Sequence, residues 1–336
     1  MNSDEKKAKQ SIEARTKKDF YSTLIKHYLR RIFSFIVKSI NLILSKLPTQ
    51  IRDASHVLHK YDDLAGSYVK QIKDAYDNPF DFYATVEGNE KLVKSNIFFD
   101  KVNEYILKEV FNIMPEAKSY IEVGAGELTT LARAVSSLKH RPQRVSALEM
   151  SWSRLEIGRK FANSIDVELD DYISGDLFNL PLSNNSFDVV YTHYALEQSP
   201  HRNNEAINEL LRITKHYLIL MEPAYELGNK EQKMNILKRD YIRGIPNTIK
   251  RMGHKLEKYE LLPIGPYGNC PAIYVIKKDS EYDGSLKTNY KICPKSGEEL
   301  VIKGHHLFAN KAGIVYPIIN GIQCLNKENG IIASKY

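Results

Sequence analysis

Short apolar runs alternate with helical segments through the middle of the chain, and this alternation limits the folds that the chain can adopt. Helical segments separate the first five runs, whereas a short loop joins the last two. The runs lie at residues 119–123, 144–149, 171–175, 187–193, 217–222, 258–264 and 272–278. Strands that alternate with helices form a mainly parallel sheet with helices on both faces. The pattern predicts an α/β fold with an antiparallel hairpin at one edge of the sheet.

The composition is that of an ordinary globular protein of 336 residues, long enough for one large domain with appendages. Three cysteines, Cys270, Cys293 and Cys324, make no even disulfide framework and favour a reducing compartment. With no secretory signal pattern at the start, we expect a cytoplasmic protein. The formal charge of +7 permits an anionic partner but is too small to indicate nucleic-acid binding.

The first region, residues 1–54, combines a polar, lysine-rich tail with an amphipathic helix at residues 30–47. This helix has a narrow polar stripe and is too short and too interrupted for a transmembrane span. Two alternatives stay open, packing onto the protein itself and peripheral contact with a membrane. Residues 55–115 carry apolar positions at helical spacing and predict further helices.

A glycine turn follows the first apolar run. The segment 120–135 has a buried strand ending near Glu122, a tight turn with Gly124 and Gly126, and a helical pattern after it. Glycine suits such a turn because a Cβ would hinder both a positive φ and close approach of a ligand. A dinucleotide fingerprint would place a third glycine at position 129, where this chain has Thr129.

Polar residues follow the other parallel strands as well. Glu149 ends the second strand, Asp176 and Leu177 follow the third, and His193 and Tyr194 end the fourth. Because open parallel sheets bind ligands beyond the carboxyl ends of their strands, we expect these residues at one site.

This ordered set resembles the class I S-adenosylmethionine-dependent methyltransferases of the small-molecule type. Glu122-Val-Gly-Ala-Gly126 is similar to the first motif of that family, Glu149 stands at its second-strand acid, and residues 175–198 resemble its third and fourth motifs. The resemblance implies a Rossmann-like, seven-stranded, mainly parallel sheet in a domain spanning residues 55–278, with its core at 118–278. Gln198 departs from the histidine that the family has after Leu-Glu.

The resemblance also implies S-adenosyl-L-methionine as cofactor and a role for each matched residue. Glu122 would lie near the cationic methionine end, with Gly124 and Gly126 forming the turn beneath it. Glu149 would accept hydrogen bonds from the ribose hydroxyls. The other expected roles are adenine recognition by Asp176 and the Leu177 N–H, cofactor contact by Tyr194, and proton removal from the acceptor by His193.

The C-terminal module, residues 284–330, resembles a small zinc-ribbon-like family that includes the activating subunit of some methyltransferases. The matching pieces are Cys293-Pro294 and the residues 316–322, within which Asn320-Gly321 predicts a tight hairpin. Ser296 stands in place of the second cysteine, and Ala309 stands near where a later one would fall, so we expect no metal. The module then serves as a docking surface or as a surface for homo-oligomer formation.

Together these observations predict an enzyme that methylates a hydroxyl of a small or lipid-linked molecule of the glycan or quinone type. The alternatives are an RNA methyltransferase, which the missing base-modifying motifs argue against, and a cofactor-binding scaffold that transfers no methyl group.

Overall fold

The computed structural model describes residues 84–87, 90–93, 96–264 and 271–333, with side chains from residue 101 onward. The tail and amphipathic helix predicted for residues 1–54 lie outside the described residues. No helix in the described part of the chain is both long and apolar enough to cross a membrane.

The first described element is a β-hairpin, which corrects the helical prediction for residues 55–115. Its strands are β1 (Ala84–Glu87) and β2 (Glu90–Val93), paired antiparallel with Glu87 opposite Glu90. Two residues, Gly88 and Asn89, separate the strands in sequence, and this pair is typical of a tight hairpin turn. The strands are too short to display a clear alternating pattern. Helix α1 (Asn96–Ile106) follows as predicted and continues into a π-helical turn at Leu107–Phe111.

Seven strands then form the sheet that the sequence predicts: β3 (Ser119–Val123), β4 (Arg144–Glu149), β5 (Asp171–Ser174), β6 (Phe187–His193), β7 (Thr214–Pro223), β8 (Lys258–Leu261) and β9 (Pro271–Lys277). Their spatial order is β5-β4-β3-β6-β7-β9-β8. The strands from β5 to β7 in this order each run parallel to their neighbours. Strand β9 runs antiparallel to both β7 and β8. This order confirms the Rossmann-like α/β fold.

Helices connect these strands and cover both faces of the sheet. They are α2 (Leu131–Ser136), α3 (Trp152–Ser164), α4 (Asn203–Ile213), α5 (Lys230–Arg239) and α6 (Ile245–Arg251). Alternate strand residues enter opposite cores: Tyr120 and Tyr191 pack on one face, and Ile121 and Val190 pack on the other. Such two-sided burial explains why the central strands are nearly continuous apolar runs.

The C-terminal module continues this sheet instead of forming a separate one. Its strands are β10 (Val301–Lys303), β11 (His306–Ala309), β12 (Ile314–Ile319) and β13 (Ile322–Cys324), and β14 (Ile331–Ile332) pairs with β12 just beyond it. Strand β13 pairs in parallel with β5. The predicted hairpin joins β12 to β13, with Asn320 and Gly321 at φ of 51° and 77°. Two positive φ values in a two-residue loop are those of a type I′ turn.

Asp171 is the main polar contact between the module and the sheet. Its buried carboxylate accepts hydrogen bonds from the Tyr290 hydroxyl, the Lys291 ammonium and, at 2.7 Å, from Gln323 Nε2. The Arg144 guanidinium lies 4.0 Å from the centre of the Tyr290 ring. Burial and the neighbouring Asp171 charge raise the pKa of Tyr290, so its hydroxyl keeps the proton that it donates. A buried charge of this kind is tolerated because several donors surround it.

The two cysteines of the module are buried, and each lies close to an oxygen atom of the module. Cys293 Sγ lies 3.6 Å from the Tyr316 hydroxyl, and Cys324 Sγ lies 3.7 Å from the carbonyl oxygen of Ile322. The described residues contain no group of three or more histidine, cysteine or acidic side chains placed to hold a metal ion. The absence of zinc stays a prediction of the sequence.

Replacing Asp171 with alanine should lower the free energy of unfolding by about 3 kcal/mol, because it leaves the Lys291 charge without its buried partner. Urea unfolding measures this loss, and limited proteolysis should then cleave the C-terminal module faster. Glu205→Ala, which removes a surface ion pair with Arg202, serves as the control and should cost about 0.5 kcal/mol or less. Equal losses in the two variants would contradict the role given to Asp171.

Candidate active site

An open cavity lies at the carboxyl ends of β3 to β6 and encloses about 740 Å³ of space, part of which is open to solvent. Its walls include most of the residues that the sequence singles out, together with several that it does not. They are Gly124, Leu148, Glu149, Met150, Arg154, Gly175, Asp176, Leu177, Phe178, Tyr194, Ala195, Gln198 and Ser199.

Gly124 of the glycine turn lines the cavity, whereas Gly126 does not. Gly124 has φ of 80°, and a Cβ built on it would lie 2.3 Å from Ala195 Cβ. Gly126 has φ of 54°, and a Cβ there would lie 2.9 Å from Nη2 of Arg154. The N–H groups of Gly124 and Ala125 both donate to the Leu148 carbonyl, at 2.7 and 3.0 Å. Any other residue at position 124 would push the turn away from the loop after β6.

Glu149 ends β4 and links that strand to the turn. Its Oε2 accepts from the Gly126 N–H at 3.1 Å, and its Oε1 accepts from the Ser151 N–H at 3.0 Å. The side chain is buried yet lines the cavity. A carboxylate has about four acceptor positions, so two backbone bonds leave capacity for hydroxyl donors in the cavity.

Asp176 and Leu177 form the wall that follows β5. Asp176 Oδ1 accepts from the Phe178 N–H at 2.9 Å, which folds the segment into a tight turn. Burial raises the pKa of Asp176, although this hydrogen bond opposes the shift. The Arg202 guanidinium covers the outer face of the Phe178 ring at 3.6 Å. Met150 and Phe178 also line the cavity and supply apolar surface beside Asp176.

His193 and Tyr194 end β6 but occupy different places. Tyr194 lines the cavity with φ of 54°, whereas His193 is not among the lining residues. The two rings meet edge to face with centroids 4.8 Å apart. Burial lowers the pKa of His193 to about 4, so the imidazole is neutral near pH 7. Its buried Nε2 has no hydrogen-bond partner among the described residues.

Glu122 lies beneath the cavity and does not line it. Its carboxylate accepts from the Thr130 hydroxyl at 3.2 Å and from the Tyr191 hydroxyl at 2.9 Å. These bonds connect β3 to the start of the α2 region and to β6. Burial raises the pKa of Glu122 to about 8, although both hydrogen bonds favour the ionised form.

The C-terminal module supports the cavity from outside, which the sequence did not predict. Asn326 Nδ2 donates to Ser174 Oγ at 2.9 Å and to the Met150 carbonyl at 3.4 Å. Asn179 Nδ2 donates to the Pro294 carbonyl at 2.9 Å. These bonds brace the wall formed by Met150 and the loop after β5.

Comparison with known proteins identifies the class of the central region. Residues 121–219 match a family model described as a methyltransferase domain. No curated protein sequence matches the chain significantly.

The solved structures that are similar to parts of the chain include two methyltransferases and a complex of a methyltransferase with its activator. Magnesium protoporphyrin IX methyltransferase from Synechocystis PCC 6803 with bound SAM has 10% identity and a TM-score of 0.47, covering 63% of this chain and 97% of that one. Geranyl diphosphate C-methyltransferase from Streptomyces coelicolor A3(2) has 9% identity and a TM-score of 0.42, covering 62% and 97%. A complex of the Haloferax volcanii Trm112 methyltransferase activator with a methyltransferase has 13% identity and a TM-score of 0.43, covering 55% and 91%.

Residues 121–219 therefore match a methyltransferase domain, and the chain is an enzyme that transfers methyl groups from S-adenosylmethionine. The cavity fits the cofactor, because Gly124 lets the turn and the loop after β6 approach each other closely and the Glu149 carboxylate, with free acceptor capacity, lies beside the turn.

Glu149→Ala should weaken S-adenosylmethionine binding by at least about tenfold, because hydrogen bonds to a charged acceptor contribute roughly 1.5 to 3 kcal/mol. Titration calorimetry measures the change. Glu168→Ala alters an exposed acid away from the cavity and should bind as the wild type does. Unchanged binding by Glu149→Ala would contradict the ribose-binding role.

Glu122→Gln should make stability less dependent on pH. The pKa of Glu122 is about 8 in the folded protein and lower in the unfolded chain, so the folded state binds the proton more tightly. The contribution of this protonation to the free energy of unfolding is fully present below the unfolded pKa. It is lost as the pH rises towards 8, at up to about 1.4 kcal/mol per pH unit. Urea unfolding at about pH 5.5 and about pH 7.5, both inside this window, should give a smaller difference for the variant than for the wild type. Equal differences would contradict the raised pKa.

Proposed function

We propose that the enzyme transfers a methyl group from S-adenosylmethionine to a hydroxyl of a small or lipid-linked molecule, of the glycan or quinone type. One observation carries the cofactor part of this proposal. Residues from four adjacent strand ends, expected separately from their motifs, line the same cavity: Gly124, Glu149, Asp176, Leu177 and Tyr194.

The roles proposed for these residues follow from their donors and acceptors. The carboxylate of Glu149 would accept from the two ribose hydroxyls while the Gly126 and Ser151 N–H groups hold it in place. Asp176 would accept from the adenine amino group, and the Leu177 N–H would donate to a ring nitrogen. Met150 and Phe178 would pack on the faces of the base. Glu122 would lie near the cationic end, beneath the turn and without direct contact, and the positive charge of the bound cofactor would favour its ionised form.

His193 is the group that we propose as proton acceptor. The cofactor supplies a methyl group already activated by its sulfonium, so the protein mainly aligns the acceptor and takes up one proton. A neutral imidazole with an unpartnered Nε2, packed against Tyr194 on the cavity wall, is able to accept that proton. Its low pKa makes it a weak base for a free alcohol. However, the hydroxyl becomes strongly acidic as its oxygen bonds to the methyl carbon, so a weak base suffices in the transition state.

One feature of the chain supports a lipid-linked acceptor, and another supports self-association. The amphipathic pattern at residues 30–47 would bring the enzyme to a membrane surface if its apolar face enters lipid. The C-terminal module exposes Ile302 and Ile319, which would suit self-association through that module.

His193→Ala should lower methyl transfer by about a hundredfold or more, because general-base catalysis typically contributes 10² to 10⁴. Binding of S-adenosylmethionine should be unchanged. The assay uses a radiolabelled methyl donor with separate lipid, glycan, small-molecule and RNA fractions of a cell extract. His140→Ala, an exposed histidine, is the control and should retain full activity.

Label in the lipid, glycan or small-molecule fraction that His193→Ala abolishes would support the proposal. Label in RNA would favour the nucleic-acid alternative, and no label in any fraction despite tight cofactor binding would favour a scaffold. Full activity of His193→Ala would show that another group removes the proton.

A further inference from the structure

We infer that Glu222, the acidic residue near the end of β7, is a positioning residue for cofactor binding. It fixes the loop after β6 at a set distance from the glycine turn, and this distance sets the width of the cavity. Glu222 does not line the cavity and therefore acts through Ala195. The inference concerns only the cofactor side of the site and does not rest on the proposed acceptor.

The carboxylate of Glu222 is fully buried and accepts three hydrogen bonds from one short segment. Oε1 accepts from the Thr192 hydroxyl at 2.7 Å and from the Ala195 N–H at 3.0 Å. Oε2 accepts from the Leu196 N–H at 3.1 Å. The segment that it holds follows the last residues of β6, where the chain leaves the sheet and needs new partners for its backbone groups.

The held segment has little freedom to move without losing a contact. Tyr194 has φ of 54°, a backbone conformation that residues other than glycine seldom adopt. Its N–H donates to the Met221 carbonyl at 3.0 Å. An unfavourable backbone conformation persists only where neighbouring contacts impose it. The bonds from Glu222 on one side and Met221 on the other impose this one.

Ala195 transmits the position of the segment to the cofactor turn. A Cβ on Gly124 would lie 2.3 Å from the Ala195 Cβ, so the methyl group of Ala195 occupies the space that the glycine leaves. Both residues line the cavity. The Glu222–Ala195 bond and the Ala195–Gly124 contact together set the separation of the two loops.

A carboxyl group satisfies all three donors with its two oxygens, whereas an amide does not. A glutamine amide has one oxygen acceptor and one NH₂ donor. In either orientation the NH₂ group of Glu222→Gln would face a backbone N–H, that of Leu196 or that of Ala195. The substitution keeps size and shape but releases one end of the held segment.

The test is titration of S-adenosylhomocysteine into the full chain and into Glu222→Gln, at a temperature where both are folded. We expect the dissociation constant to rise about tenfold, because one of the hydrogen bonds that hold Ala195 and Leu196 in place is lost. The control is Thr214→Val, which removes a buried hydroxyl from the opposite end of the same strand, where it donates to the Leu210 carbonyl at 2.6 Å. That variant should lose thermal stability but bind within about twofold of the wild type.

Ala195→Gly keeps the inference testable if Glu222→Gln does not fold. It leaves Glu222 intact but removes the methyl group that meets Gly124, and we expect at least about a threefold weaker affinity. Wild-type affinity in a folded Glu222→Gln, or in Ala195→Gly, would overturn the inference and leave Glu222 a stability residue. Failure of the wild type to bind would instead overturn the cofactor assignment, so the two failures are distinguishable.

Discussion

The covered edge of β5 is the constraint on which the rest of the structure depends. An edge strand of a parallel sheet presents unpaired N–H and C=O groups, and burying them without partners costs free energy. Strand β13 supplies these partners through its parallel pairing with β5. The pairing brings Gln323 to the Asp171 carboxylate and Asn326 to Ser174. One junction therefore gives a buried carboxylate a hydrogen-bond donor and braces a wall of the cavity.

The cavity is held from both sides by groups that do not enter it. Asn326 and the loop contacts of the C-terminal module hold the wall that contains Met150 and Asp176. On the other side, Glu222 holds Ala195 against the glycine turn. Glu149 lies between the two sides, where its backbone bonds to Gly126 and Ser151 fix the carboxylate. Because these contacts already order the polar groups of the cavity, ligand binding carries a smaller entropic cost.

Much of the sheet and of the cofactor wall could be predicted because their signals are local. The strand runs, the glycine turn and Asn320-Gly321 each fit within a few residues, and the structure has strands or turns at each of them. Glu222 and Asn326 carry no such signal. Glu222 ends an apolar run and reads only as a strand-end acid, while Asn326 contacts a residue 152 positions away. Their partners depend on the order of the strands in the sheet, and no local sequence pattern indicates that order. The β1–β2 hairpin was missed because its strands are too short to show a period.

The central claim is that one cavity, formed by the ends of β3 to β6, holds the cofactor. Hydrogen–deuterium exchange with and without S-adenosylhomocysteine tests it most directly, because backbone amides slow their exchange where a ligand suppresses local opening. We expect slower exchange at residues 122–126, 149–154, 175–178 and 194–199, with no change in β10 and β11. Slower exchange confined to other segments, or none at saturating ligand, would contradict it.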